Sequence, residues 1–291
     1  MDKALELKIK YEQNKIGSAA EVESHLSSSN LFKDLLADFE ENTLNLLWRL
    51  TQLSEIPFSG DNAKVAEWTK ALVDKTNTGE GFSLDGTNDY LLACYNGMIT
   101  SLLIKLKYPN KERINAGLNW ILKYQNVKRG EKCNWEGAAL KKYGGCMKNT
   151  PCYIGLVKSM IALSDYKQSE YYKKNDALEQ KLNDGLRYIL NQKIFLRLTD
   201  NKPITSEIIK LTYPFTWKTN IIEILRLLKA NNLISDQRCT EALSYLKSKQ
   251  KKDGGWWAQT SHIQKNKAWV PFDKSREKGR WISYEIEKLI L

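Results

Sequence analysis

The chain has 291 residues, 42% of them hydrophobic and 27% charged, which suits a globular protein and excludes both a wholly disordered chain and a fibre. No apolar run approaches the roughly 18 residues of a membrane helix, so no transmembrane segment is expected. Lysine and arginine number 45 against 34 acids, a net charge of +11. The surplus is spread along the chain rather than gathered into arms, which reads as a solvated surface, with an anionic partner or peripheral membrane contact as the alternative.

Residues 1–41 read as an N-terminal helical extension packed on the rest, with Ser24 to Asn30 as a polar break. The opening Met1-Asp2-Lys3-Ala4-Leu5-Glu6 mixes charges and has no apolar signal core, so a cytoplasmic location is expected, with the five cysteines as reduced thiols. Residues 42–291 read as one repeat domain. Segment 42–53 is followed by 63–75, 93–106 by 111–124, 152–164 by 177–191, and 216–230 by 235–249. Arg280 to Leu291 adds a half unit. Ile114, Gly117, Leu118, Ile121 and Leu122 follow helical spacing, as do Tyr153, Leu156, Val157, Met160 and Ile161. Joins such as Tyr108-Pro109-Asn110 mark antiparallel hairpins. Period-two alternation is scarce, so the expected fold class is all-α.

An internal repeat accompanies the pairing. Cys94-Tyr95-Asn96-Gly97-Met98 recurs as Cys152-Tyr153-Ile154-Gly155-Leu156, 58 residues on. Leu118-Asn119-Trp120, Leu186-Arg187-Tyr188 and Leu243-Ser244-Tyr245 echo one another in the second helices. One helix pair per about 50–60 residues implies stacked hairpins, in a solenoid or a closed ring.

Repeats end in glycine-aromatic turns: Gly79-Glu80-Gly81-Phe82, Gln125 through Gly130 to Trp135, and, most clearly, Gln250-Lys251-Lys252-Asp253-Gly254-Gly255-Trp256-Trp257. A glutamine at a helix end followed by Asp-Gly-Gly-Trp resembles the repeat of the prenyltransferase and squalene-oxidase-repeat superfamily. Tyr213-Pro214-Phe215-Thr216-Trp217 and Trp281 add to the likeness, which covers residues 42–291 and is similar to small bacterial members. The resemblance implies an α/α toroid of about five helical hairpins around an axial cavity that takes an apolar, isoprenoid-like small molecule.

Three constellations bear on chemistry. Asp85 and Asp89, in Asp-Gly-Thr-Asn-Asp, are the candidate acids for proton transfer to an alkene, with an Asx-capped turn as the other reading. The Asp-x-Asp-Asp of class II cyclases is absent. Cys133, Cys146 and Cys152, with His262, are candidate zinc ligands, although Cys-x12-Cys-x5-Cys matches no standard finger and small buried side chains in a glycine-containing loop are the preferred reading. Zinc-dependent prenyltransferases use Asp, Cys and His; Asp253 and His262 lie near the last turn, but Asp253 is followed by Gly254 and Gly255, not by the pattern's cysteine. Lys141-Lys142-Tyr143, Lys251-Lys252 and Arg276 through Arg280 are candidate phosphate contacts or solvated faces.

Tyr95, Trp135, Tyr153, Phe215, Trp217 and Trp257 lie at or near helix starts and turns, where they would line an apolar cavity or pack in the core. No nucleic-acid module and no dense basic stripe occur, so no nucleic-acid partner is expected. Two functions follow from the resemblance. One is a terpene-cyclase-like or prenyltransferase-like enzyme. The other is a non-catalytic ligand- or peptide-binding toroid scaffold, toward which the missing acid and metal patterns point.

Overall fold

The structure, a computed structural model, describes residues 1–131, 133–137, 152–260, 262–263 and 265–291. Among them the chain is mostly helical, with a single two-stranded sheet, which agrees with the expected all-α class. Twelve α-helices run in order: α1 Lys3–Glu12, α2 Ala19–Ser28, α3 Asn30–Leu36, α4 Thr43–Leu53, α5 Ala63–Thr76, α6 Ala93–Lys105, α7 Lys111–Tyr124, α8 Tyr153–Lys167, α9 Asp176–Asn191, α10 Ile221–Ala230, α11 Thr240–Ser248 and α12 Arg280–Ile290. Two short strands, β1 Trp256–Trp257 and β2 Lys278–Gly279, pair antiparallel.

Caps set many of the helix starts. Asn42, Asn62, Asn110, Asn175 and Asn220 each accept a backbone N–H from the first turn of α4, α5, α7, α9 and α10. This capping trims the expected 216–230 helix to begin at Ile221. At the N-terminus the sequence expectation fails. Ser24–Ser28 lies inside α2, and the break is the single residue Ser29, which ends α2 and caps α3. α2 buries none of its residues. Its apolar side is thin, with Val22 and Leu26 only partly buried, so the serines, with their competing local hydrogen bonds, read as loop.

The helices fall into two kinds. α5, α7 and α9 each bury one stripe, as Leu178, Leu182, Gly185, Leu186 and Ile189 do on α9. α4, α6, α8 and α10 are buried on nearly all sides. These inner helices, with α12, are successive neighbours in the order α4, α6, α8, α10, α12. Pairs such as Ala93–Gly155 and Gly97–Lys158, or Lys158–Glu223 and Ser164–Asn231, advance together along both partners, so the helices run parallel. α5, α7 and α9 pack antiparallel outside α4, α6 and α8, whereas α11 leans on α12. The two ends of the series are tied. Arg49 and Gln52 of α4 donate to the carbonyls of Ala268 and Val270, in the segment before α12. α1 bridges α4 and α12 through Lys8. Leu5 and Phe32 of the N-terminal helices share the one buried apolar core with the repeats.

The duplicated Cys-Tyr-x-Gly has a packing reason. A Cβ on Gly97 would stand 2.6 Å from the Lys158 carbonyl carbon, and one on Gly155 would stand 2.9 Å from Ala93 Cβ. The two glycines let α6 and α8 touch backbone to backbone. The turns lock onto the next inner helix in a recurrent way. Phe82 N donates to Asn96 Oδ1 at 3.0 Å and Trp256 N to Ser283 Oγ at 2.9 Å, each acceptor lying one turn into its helix. In the best-formed turn, Gln250 donates to Gly254 O (2.8 Å), Gly254 has φ +78° and the indole of the fully buried Trp256 donates to Leu246 O. These residues close the repeat. Gly97→Ala is expected to lower stability by about 1–3 kcal/mol through overpacking, read as a lower urea midpoint with an unchanged slope.

Candidate functional site

The inner helices carry a second stripe. Ser101 and Lys105 on α6, Lys158 and Asp165 on α8, Glu223 and Arg226 on α10, and Glu285 and Lys288 on α12 recur at three-, four- or seven-residue spacing. On helices enclosed by others this face points not to solvent but into the space between them.

The hub is Glu55, just beyond α4 and only 4% exposed. Its carboxylate meets Arg226 Nη1 at 2.6 Å, Lys8 Nζ at 3.3 Å and Lys105 Nζ at 3.5 Å, and accepts from the Tyr213 hydroxyl at 2.8 Å. Glu285 reaches Lys8 at 3.6 Å, Arg226 at 3.7 Å and Lys288 at 3.1 Å; Lys288 also pairs with Glu12 at 2.7 Å. Beside this group Lys158 pairs with Glu223, and Asp165 accepts from Ser101 and lies 3.6 Å from Lys105. Five cations thus face five carboxylates. The site is neutral in itself.

Electrostatics follow from burial against pairing. Burial alone would raise Glu55, but Arg226, Lys105 and Lys8 outweigh it and hold its carboxyl well below 4.5. Burial would lower Arg226, yet Glu55 and Glu285 hold it well above the usual guanidinium range. Lys158 goes the other way: its burial exceeds the pull of Glu223 and lowers it. Because the inner helices are parallel, their C-terminal ends lie on one side, and Lys105 sits in the last turn of α6 where the helix dipole favours a cation.

Little room is left. Two small cavities adjoin the network, about 40 Å³ beside Ser54, Ser101 and Lys158 and about 50 Å³ beside Asp165 and Arg226. Glu223 lines both, and its Oε2 has no hydrogen-bond partner among the described residues. Such spaces hold water, not a small-molecule ligand, whose pockets run to about 300–1,000 Å³.

The expected site residues are dispersed. Asp85 and Asp89 are exposed in the loop before α6. Asp85 accepts from Thr87 N, Thr87 Oγ1 and Ser83 Oγ at 2.9–3.0 Å. Burial works to raise it, but the bonds from Thr87 and Ser83 bring it below 3.8, the opposite of what a proton donor needs. Tyr95, Trp217 and His262 do come together, with rings 6.5 Å and 5.8 Å apart in succession. Phe215 lines both small cavities and lies under the Arg226 guanidinium. Trp135 stacks edge-on with Trp120 and Tyr124, away from the network. Tyr153 donates to Ile194 O. Trp257 is 39% exposed at an open groove.

Cys146 and Lys141-Lys142-Tyr143 lie outside the described residues. Cys133 Sγ donates to Tyr124 O and accepts from Trp135 N, both at 3.4 Å. Burial pushes the Cys94 thiol up to about 12, with Cys152 beside it. Among the described residues no three His, Cys, Asp or Glu side chains converge to hold a metal ion. A groove of about 770 Å³ with Val22, Leu26, Phe32, Leu36 and Phe58 in its walls is mainly apolar, but it lies on the N-terminal helices.

Sequence reasoning missed the ion network, and it missed Asp273. The carboxylate of Asp273 accepts the N–H groups of Arg280, Trp281 and Ile282 and so caps α12 from a distance. No family model matches the sequence, no curated protein matches it, and no solved structure matches the fold.

The paired state of Glu55 makes stability depend on pH. A carboxyl depressed on folding contributes fully above its unfolded value near 4.5 and loses that contribution as pH falls through its lower folded value. Wild-type protein is expected to lose resistance to urea on acidification below about pH 4.5, and Glu55→Gln to lose that part of the slope. Glu55→Leu takes one carboxylate from Lys8, Lys105 and Arg226 and leaves the buried network with a surplus cation, and is expected to cost about 3–5 kcal/mol at neutral pH, measured by urea unfolding.

Proposed function

We propose that the chain is a non-catalytic binding scaffold, an α/α toroid of helical hairpins whose centre is closed by its own charges and whose ligand surface is its rim. The observation that carries this reading is the filled centre. All five inner units send ionised side chains there, the charges balance, and the remaining cavities measure about 40 and 50 Å³. The neighbour order of the parallel inner helices, with α1 and the 266–270 segment joining its ends, supports the ring.

The enzyme reading implied by the resemblance needs an apolar axial chamber and a carboxylic acid facing it. Here the axis is ionic, and Asp85 and Asp89 belong to an exposed turn.

Incubated with squalene or farnesyl diphosphate, the full chain is expected to release no cyclised or transferred product, as read by solvent extraction and mass spectrometry. A product that appears with wild-type protein and disappears in Glu223→Gln would reverse the reading.

A further inference from the structure

The groove at Trp257 is built differently from the centre. It measures about 680 Å³ and opens to solvent between the 206–211 segment, the end of α11 and the 257–260 and 275–276 segments. Its walls are tied together: Gln259 N donates to Leu211 O at 2.8 Å, Leu211 N to Gln259 Oε1 at 2.7 Å, and Arg276 N to Ala258 O at 3.1 Å. The last bond holds Arg276 in the left-handed region, at φ +66°, a conformation that costs a non-glycine residue about 1 kcal/mol or more.

Four cations line this groove: Lys210, Lys249, Lys251 and Arg276. Lys210 is neutralised by Glu207 at 2.6 Å. Lys249, Lys251 and Arg276 have no carboxylate partner among the described residues. Two of them are oriented by rings instead. Lys249 Nζ lies 4.8 Å from the Tyr245 ring centre, and Lys251 Nζ lies 5.0 Å from that of Trp257. An aromatic ring attracts an ammonium without cancelling its charge. The lysines are therefore restrained while their charge stays available, and less ordering entropy remains to be lost when an anion arrives. The network at the centre shows the contrast: there every cation has a carboxylate, and no charge is left for a guest.

We infer that this groove binds a small molecule bearing clustered phosphates, with its charge at Lys249, Lys251 and Arg276 and its uncharged part against Trp257. The volume suits a small ligand rather than a polymer. Lys251 and Arg276, far apart in sequence, come from two of the basic runs that sequence reading held open as phosphate contacts. The inference rests on the reading that ligands are met on the rim. The two fail separately, because groove variants leave the axis intact and the axial test reads a chemical product.

The test is calorimetric titration of the full chain at low salt with inorganic tripolyphosphate and with ATP, with tryptophan fluorescence as a second readout. Both probes are expected to bind. Lys251→Gln and Arg276→Gln are each expected to weaken them about tenfold, the scale of one lost charge-assisted contact. Lys75→Gln removes the same charge from an exposed site on α5 and is expected to leave affinity unchanged. Absence of binding, or an equal loss in Lys75→Gln, overturns the inference. So does tighter binding of a short single-stranded oligonucleotide that falls in the same groove variants, which would assign the groove to nucleic acid.

Discussion

The structure depends on keeping a buried carboxylate, Glu55, surrounded by charge of the other sign. Its partners come from α1, α6 and α10, and its neighbour Glu285 from α12. Buried ion pairs add little net stability, since desolvation offsets most of the attraction, but an unpaired member is costly. The consequence here is geometric. The inner helices can close up only in the arrangement that brings Lys8, Lys105 and Arg226 to the same two oxygens. Apolar packing makes the helices associate; the charges restrict how they do so.

Close packing and polar closure cooperate. The contact of α6 with α8 at Gly97 and Gly155 brings Lys158 of α8 beside Glu223 of α10 and sets Asp165 against Ser101 and Lys105. A side chain at either glycine would push the helices apart and loosen both pairs. The turn locks at Asn96 and Ser283 hold the first turns of α6 and α12, Asn96 directly beside Gly97. The same residues that define the repeat in sequence therefore also fix the spacing of the charged centre.

Much of the fold was legible, because amphipathic stripes and asparagine caps are local signals. The pairs 42–53 with 63–75 and 93–106 with 111–124 match α4 to α7 within a residue or two. α2 was hardly legible, since only Val22 and Leu26 mark its apolar side and neither is fully buried. The centre was half legible. Its charged stripes stand in the sequence at helical spacing, but the polar face of an amphipathic helix is ordinarily the solvated one. Only the second layer of helices makes it interior. The pairing of Lys8 with Glu55 and Glu285 has no sequence signal, because nothing local links the three. Asp85 and Asp89 stood out by residue type, and their geometry is that of a turn.

Lys8 sits near one end of the chain and one of its two buried partners, Glu285, near the other. On the ribosome this lysine can meet Glu55 as soon as the first repeat is made, but Glu285 emerges only after the repeats between them. Until then Lys8 and Arg226 lack one of the two buried carboxylates that compensate them. The early repeats are thereby discouraged from settling into a finished interior without the late ones, and assembly becomes an event of all the repeats together rather than a steady accretion of hairpins.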